Sequence, residues 1–428
     1  MLMDESFKEA SRISANCFTR DRKVSFTDLM VFTLRSSYKS LSVEIDQFFN
    51  KLSGTASPPS KQAVSKARMK INHIGFKKIE NMIVEEYYCE KYKTYKGYRL
   101  LAVDGSIVQL PSSEDIAEHF GKMNKQPDQV NCGRSITVYD VLNDIIVDSK
   151  LYPSDSSERV CLAEQITTMQ KEGKQRKDII IADRGFPSLP LLMRLKKANY
   201  DFVIRYNGEN FLREFSEFAQ SRGSDKIVEV SLTAPGRRQD SGELEAYAED
   251  TAIKLRIVKV KLETGELEYL VTSILEKSIL TKHDFQKIYG SRWGIEEGFK
   301  TLKNTIELEN FSSKTVETVL QEYYSKIVIY NLHSTLVQEA QKELDKKKKE
   351  DCKEYKYEKY CINQNVSYGL VRDRLIDLFG KDNGNWDETY EYLLEAVQRN
   401  PIPVRPDRHY ERIRKGNPKF PINRRRAV

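Results

Sequence analysis

The sequence predicts a mixed α/β fold, a sheet with helices on its faces. Three observations carry this. Short apolar runs alternate with helical segments from residue 99 to residue 205. Two of those runs end in Asp104-Gly105 and Asp183-Arg184-Gly185. The 428-residue length leaves room for further domains on either side.

Residues 1–95 read as helical and polar. Ser25 is placed to cap a helix over Phe26 to Leu34, and Pro58-Pro59 precede a second helix from Ser60. That helix carries Gln62, Ser65, Lys66, Arg68 and Lys70. It suits a DNA groove, but taken alone it reads more readily as an ordinary amphipathic surface helix. Arg99 to Val103 is a short strand ending in a turn at Asp104-Gly105. Residues Ser135 to Leu142 and Ile145 to Leu151 alternate as strands about an Asn143-Asp144 turn. Asp155 to Glu172 is expected to be helical, with Val160, Ala163, Ile166, Thr167 and Met169 near its inner face. Asp178 to Ala182 is a buried strand, Leu189 to Lys197 a helix, and Tyr200 to Arg205 a strand. The first three strands suit a meander, and the later ones return through helices. Residues 207–280 break this rhythm and read as a β-rich insertion. Long helices are expected from Thr281 to about Thr305 and from Thr315 to about Leu344. The Lys346–Lys349 run then reads as a solvated helix end or linker.

Composition excludes several classes. Hydrophobic residues at 39% with 10% aromatics are too many for a disordered chain. No apolar run approaches the ~18 residues of a membrane span. The acidic start Met1-Leu-Met-Asp-Glu-Ser6 does not resemble a secretory signal. Six scattered cysteines without a CxxC, and five scattered histidines, form neither a disulfide framework nor a zinc spacing. They point to a cytoplasmic protein in which any metal is held by oxygen. The net charge is +7, and residues 405–428 hold nine basic and two acidic side chains. The whole excess therefore lies in this basic C-terminal region, which suits a polyanion partner or simply a solvated tail.

Asp104 and Asp183 close two core strands, where ligands of such sheets gather. Two acids there suit a hard cation such as Mg²⁺ (Mn²⁺ as a substitute), although Asp also favours turns for its own sake. On a continuous helix, Tyr289, Arg292, Glu296 and Lys303 fall within about 60° of arc, beside an apolar stripe of Ile288, Ile295, Phe299 and Leu302. Glu297 points about 100° away from Glu296, which leaves Glu296 as the third candidate acid. Trp293 suits stacking on an unpaired base or ordinary packing. Arg184 and Arg205, near strand ends, are weaker candidates for DNA contact.

The pattern Tyr289-x2-Arg292-x3-Glu296-x6-Lys303 resembles the signature of bacterial insertion-sequence DDE transposases of the Tyr-Arg-Glu-Lys group. Val103-Asp-Gly-Ser106 with Leu110-Pro111, and Ala182-Asp-Arg-Gly-Phe186, resemble the first and second Asp motifs of that family. The resemblance covers roughly residues 98–340. It implies a ribonuclease H-like catalytic domain in two parts, 96–206 and 281–344, around the insertion at 207–280. A helical DNA-binding region at 1–95 and a C-terminal region at 345–428 would flank it. It further implies Asp104, Asp183 and Glu296 as catalytic metal ligands for Mg²⁺, with Tyr289, Arg292, Lys303 and Trp293 on DNA. The implied reaction is cleavage at transposon ends and transfer of the 3′-OH into target DNA. The implied partners are inverted-repeat end DNA and target DNA, bound by a homodimer. A nuclease that stops after hydrolysis, a DNA-binding protein without catalysis and a phosphatase are the competing readings.

Overall fold

The computed structural model describes the chain apart from residues 1, 21, 36–38, 54–57, 124–129, 173, 175, 207–212, 232–251, 262–264, 266, 351–355, 380–385 and 406–428. The basic stretch after Arg405 lies outside the described residues. Two compact units are present. One comprises Met1–Tyr87, Val108–Gly133 and Lys300–Val428; the other comprises Tyr88–Ile107 and Arg134–Phe299.

The second unit is a large mixed sheet flanked by helices. Its strands are β1 (Arg99–Gln109), β3 (Val130–Asp140), β4 (Ile145–Pro153), β5 (Asp178–Ala182), β6 (Asp201–Tyr206), β7 (Asp225–Ser231), β8 (Ala252–Lys261) and β9 (Leu267–Thr272). The two-residue β2 (Lys122–Met123) lies in the other unit, as do Val130 and Asn131, with which it pairs. The sheet runs β4-β3-β1-β5-β6-β9-β8-β7. β1, β5 and β6 are parallel, and β9, β8 and β7 extend that sheet antiparallel. Strands from the expected β-rich insertion thus continue the central sheet.

The three central strands read as unbroken apolar runs because both faces are covered. The two-residue side-chain period then sorts them. Leu101, Ile180, Phe202 and Ile204 point to one face, packing with Leu162 and Ile166 of the helix Glu158–Glu172 and Leu191, Leu192 and Leu195 of Leu189–Lys197. Leu100, Ile179, Ile181 and Val203 point to the other, against Phe285, Ile288 and Tyr289 of Lys282–Ser291. Ile179, Ile180 and Ile181 are wholly buried, each contributing about 1.5–3 kcal/mol of transfer free energy.

Three local expectations change. β1 does not turn at Asp104-Gly105 but continues to Gln109, because β3 still lies beside it after its pairing with β5 ends at Ala102. The helix after β4 starts at Glu158, and Val160 on it is 53% exposed. Its buried face is Cys161, Leu162, Gln165 and Ile166, one step round from the expected stripe. The long helix expected from Thr281 is interrupted. Lys282–Ser291 starts with a Thr281–Asp284 capping box and ends before Arg292; Gly294–Lys300 follows, then a π-helical turn Thr301–Thr305. Short i→i+3 bonds from Arg292 N–H to Tyr289 O (3.1 Å) and from Ile295 N–H to Arg292 O (3.1 Å) mark the break, between the weak helix formers Gly290 and Gly294.

The other unit is helical. Its spine is the 35-residue helix Val316–Glu350, which includes the Lys346–Lys349 run. Helices Phe26–Leu34, Ile74–Tyr87, Gln364–Phe379 and Trp386–Gln398 pack along it. Ser25 caps Phe26–Leu34 in a box with Asp28, and all nine helical residues are buried. Ser60 caps Lys61–Arg68. Arg68 does not face outward for a DNA groove. It is buried, with Nη1 2.9 Å from Glu322 Oε1 and Nη2 donating to Thr318 O. Among the described residues, no helix is long and apolar enough to cross a membrane.

Candidate functional site

Register places the two aspartates. Leu101 pairs with Ile180 and Ala102 with Ile181 on parallel strands, so Asp104, within β1, and Asp183, just past the end of β5, come level two residues further along each. Each turns one carboxylate oxygen onto its own loop. Asp104 Oδ1 accepts from Gly105 N–H at 2.8 Å, and Asp183 Oδ1 from Gly185 N–H at 2.7 Å.

The surroundings of Asp104 are electrostatically unbalanced. Burial pushes its carboxyl up to about 6, and the Asp183 and Glu158 carboxylates push the same way. The Gly105 N–H bond and the Arg292 guanidinium oppose them without cancelling them.

Arg292 sits at the helix break and is buried. Its Nη2 donates to Glu296 Oε1 at 3.3 Å. Its guanidinium lies 5.0 Å from the Trp293 ring centroid and 5.9 Å from that of Tyr289. The buried Nε has no acceptor among the described residues. Tyr289 is buried on the sheet, with its phenol pushed up by burial while the Arg292 charge draws it down. Trp293 is 60% exposed, a large apolar ring left in solvent beside a cation. Arg205 is taken up by Glu268 at 2.8 Å.

The four signature residues are therefore not one helical face. Tyr289 ends one helix, Arg292 and Trp293 form the break, and Glu296 starts the next. Lys303 lies in the π-helical turn of the other unit, its Nζ 3.7 Å from Glu309. Asp183 and Arg292 both act on Asp104, and Glu296 joins through its bond to Arg292. Among the described residues, no three His, Cys, Asp or Glu side chains are gathered closely enough to hold a metal ion. The donor chemistry nevertheless suits a hard divalent cation. The donors are all oxygen, and the Asp183 and Glu158 carboxylates both act on Asp104.

Residues 95–332 match the family model described as "Transposase DDE domain", over more than half of the chain. The chain belongs to that family. This DDE transposase is 23% identical over 341 residues to the transposase InsG of insertion sequence element IS4 from Escherichia coli strain K12, covering 76% of this chain and 70% of that protein. It is 21% identical over 445 residues to the transposase of insertion sequence element IS231E from Bacillus thuringiensis subsp. finitimus, covering 92% and 88%. The cryo-EM structure of a piggyBac transposase synaptic complex with hairpin DNA superposes at a TM-score of 0.44 with 14% identity, over 94% of this chain and 82% of that one.

Sequence reasoning missed three residues beside the transposase aspartates: Glu158, Arg134 and Arg159. Arg134 Nη1 is hydrogen-bonded to Glu158 Oε1, and Arg159 Nε donates to Gly185 O at 2.8 Å. The available signal was indirect: Gly105 and Gly185 leave space that some other side chain must fill.

Proposed function

We propose that this transposase cleaves DNA at the ends of an insertion sequence and joins the freed 3′-OH to target DNA, on a ribonuclease H-like domain of the Tyr-Arg-Glu-Lys group. The observation that carries this reading is the level placement of Asp104 and Asp183 with the buried Arg292 acting on Asp104.

Asp104, Asp183 and Glu296 would hold divalent cations, Mg²⁺ in the cell, which stabilise charge on the attacking and leaving oxygens of an in-line displacement when bound. The chain's own groups bind and orient the polymer. Arg292, whose Nε donor has no acceptor among the described residues, clamps the scissile phosphate. Tyr289 holds the Arg292 turn against the sheet. Trp293, exposed next to that phosphate, stacks on a base unpaired at the cleaved end. Lys303 contributes a further phosphate contact. Water displaces the 3′-oxygen of the end phosphodiester and leaves a 3′-OH and a 5′-phosphate. That 3′-OH then displaces the 3′-oxygen of a target phosphodiester, so one bond forms and one breaks at each step.

DNA binding outside the site is supported by a cleft of about 880 Å³ in the helical unit, beside the helix Lys61–Arg68. Arg20, Arg22, Lys23, Lys66 and Lys70 line it, and among the described residues no acidic side chain does. Such a cleft attracts a phosphate backbone over long range. Two ends require two sites, so a homodimer assembles on inverted-repeat DNA.

The test uses labelled end DNA, a target plasmid and Mg²⁺. Joined products are expected from the wild type. Glu296→Gln abolishes both cleavage and joining while end-DNA binding persists. Normal cutting by that variant overturns the assignment of Glu296; cutting without joining by the wild type leaves a nuclease.

A further inference from the structure

We propose that Glu158 is a further cation-facing acid of the transposase site, with Arg134 as its positioning residue. This rests on the reading of Asp104 and Asp183 as metal ligands and goes beyond it by adding a carboxylate from a third element.

Glu158 opens the helix Glu158–Glu172, and its carboxylate lies over the backbone of Gly105. A β-carbon at position 105 would come 2.4 Å from Glu158 Oε1 and 2.9 Å from its Cδ, with Ile136 Cδ1 at 3.2 Å. On the other side, a β-carbon at position 185 would come 3.1 Å from Asp183 Oδ1 and 3.9 Å from Glu158 Oε2. The Glu158 carboxylate therefore spans the space between the residues flanking the two aspartates. Neither glycine has a positive φ. Gly105 is needed there for room, since any side chain would displace Glu158.

The carboxylate is held from one side. Arg134 bonds to Oε1 and is itself anchored on Ser154 O through Nε at 3.3 Å and Nη2 at 3.1 Å. Oε2, on the side of Asp183, accepts no hydrogen bond among the described residues. Arg159, the next residue, ties Gly185 O to the same helical turn. The first turn of this helix thus touches both aspartate loops. An ion pair serving only stability would need no such place; at 25% and 30% side-chain exposure, it is worth about 0–1 kcal/mol. A ligating or cation-facing carboxylate, by contrast, is characteristically fixed by a hydrogen-bonded partner of its own.

The test is Mn²⁺ binding to the full chain, followed by the electron paramagnetic resonance signal of free Mn²⁺. Thermal melts run in parallel. Glu158→Gln is expected to weaken Mn²⁺ binding by about tenfold or more, with its melting temperature near that of the wild type. Gly105→Ala should weaken binding in the same direction, and combining the two should add little, because both remove one carboxylate from one place. Arg134→Gln should weaken binding by a smaller factor. Wild-type Mn²⁺ affinity in Glu158→Gln, with affinity lost in Asp104→Asn and Asp183→Asn, overturns this proposal alone. Wild-type affinity in all three overturns the reading of the aspartate site as well.

Discussion

The stretch along which β1 and β5 run side by side is flanked by charge at both ends, and the two ends are built in different ways. At the entry end, Arg99 and Asp178 are direct register partners. Arg99 Nε lies 2.6 Å from Asp178 Oδ1 and Nη2 lies 2.7 Å from Oδ2, with both side chains almost fully buried. The Tyr88 ring packs 4.3 Å from the guanidinium. At the other end, five residues along each strand, burial pushes the Asp104 carboxyl up to about 6, with the Asp183 and Glu158 carboxylates raising it and the Arg292 guanidinium opposing them. The first end is compensated from within the chain. The second is, on the proposed reading, completed by a bound cation. Balanced buried charge fixes the pairing of two strands, whereas unbalanced charge at the same strands' other end marks where a ligand completes the structure.

The sharpest way to break this contrast is to remove one charge at each end. Asp104→Asn or Asp183→Asn should lower end-DNA cleavage by about a thousandfold or more, roughly 4 kcal/mol of transition-state stabilisation. Melting temperature should hold or rise, since a repulsion is relieved. A variant that melts early would move this end into the structural class. Asp178→Ala should do the reverse and cost about 3–5 kcal/mol in urea unfolding, because Arg99 is left buried and unpaired. A loss below ~1 kcal/mol would mean that the pair is dispensable.

Acid titration sharpens the comparison once its background is known. His333 is buried, its Nε2 2.7 Å from Ser367 Oγ, and burial pulls its pKa down to about 4. The unfolded chain takes up a proton near pH 6.5 that the folded chain refuses. Stability from this group is full above pH 6.5 and falls as pH drops towards 4, by about 3 kcal/mol in total. His333→Gln should flatten that part of the pH–stability curve; an unchanged slope would assign the acid sensitivity elsewhere. The smallest effect concerns Trp293. Its replacement by Ala should weaken binding of end DNA with an unpaired base by about 1–2 kcal/mol, and leave fully paired DNA nearly unaffected. Equal weakening on both substrates would argue for packing rather than stacking.

Much of this was legible in the chain. Asp178–Ala182 and Leu189–Lys197 fall where the apolar pattern places them, because a run buried on both faces and a capped amphipathic helix are local signals. Ser25 caps as its position suggests. The break at Arg292 was not legible. Helical periodicity assumes an unbroken helix, and Gly290 and Gly294 lower helix stability without dictating where it ends. Arg68 was misjudged for a related reason: a buried arginine looks like a surface one until Glu322, 254 residues away, is seen beside it.

By itself the sequence determined the layered α/β order, the strand that ends before Asp183 and the Tyr-Arg-Glu-Lys spacing, since each depends on residues close together in the chain. Only the tertiary structure decided that Asp104 and Asp183 stand level, that Arg292 turns out of a helix towards them, and that Glu158 fills the space above Gly105. Those facts follow from strand register and from contacts between distant segments, which carry no local signature.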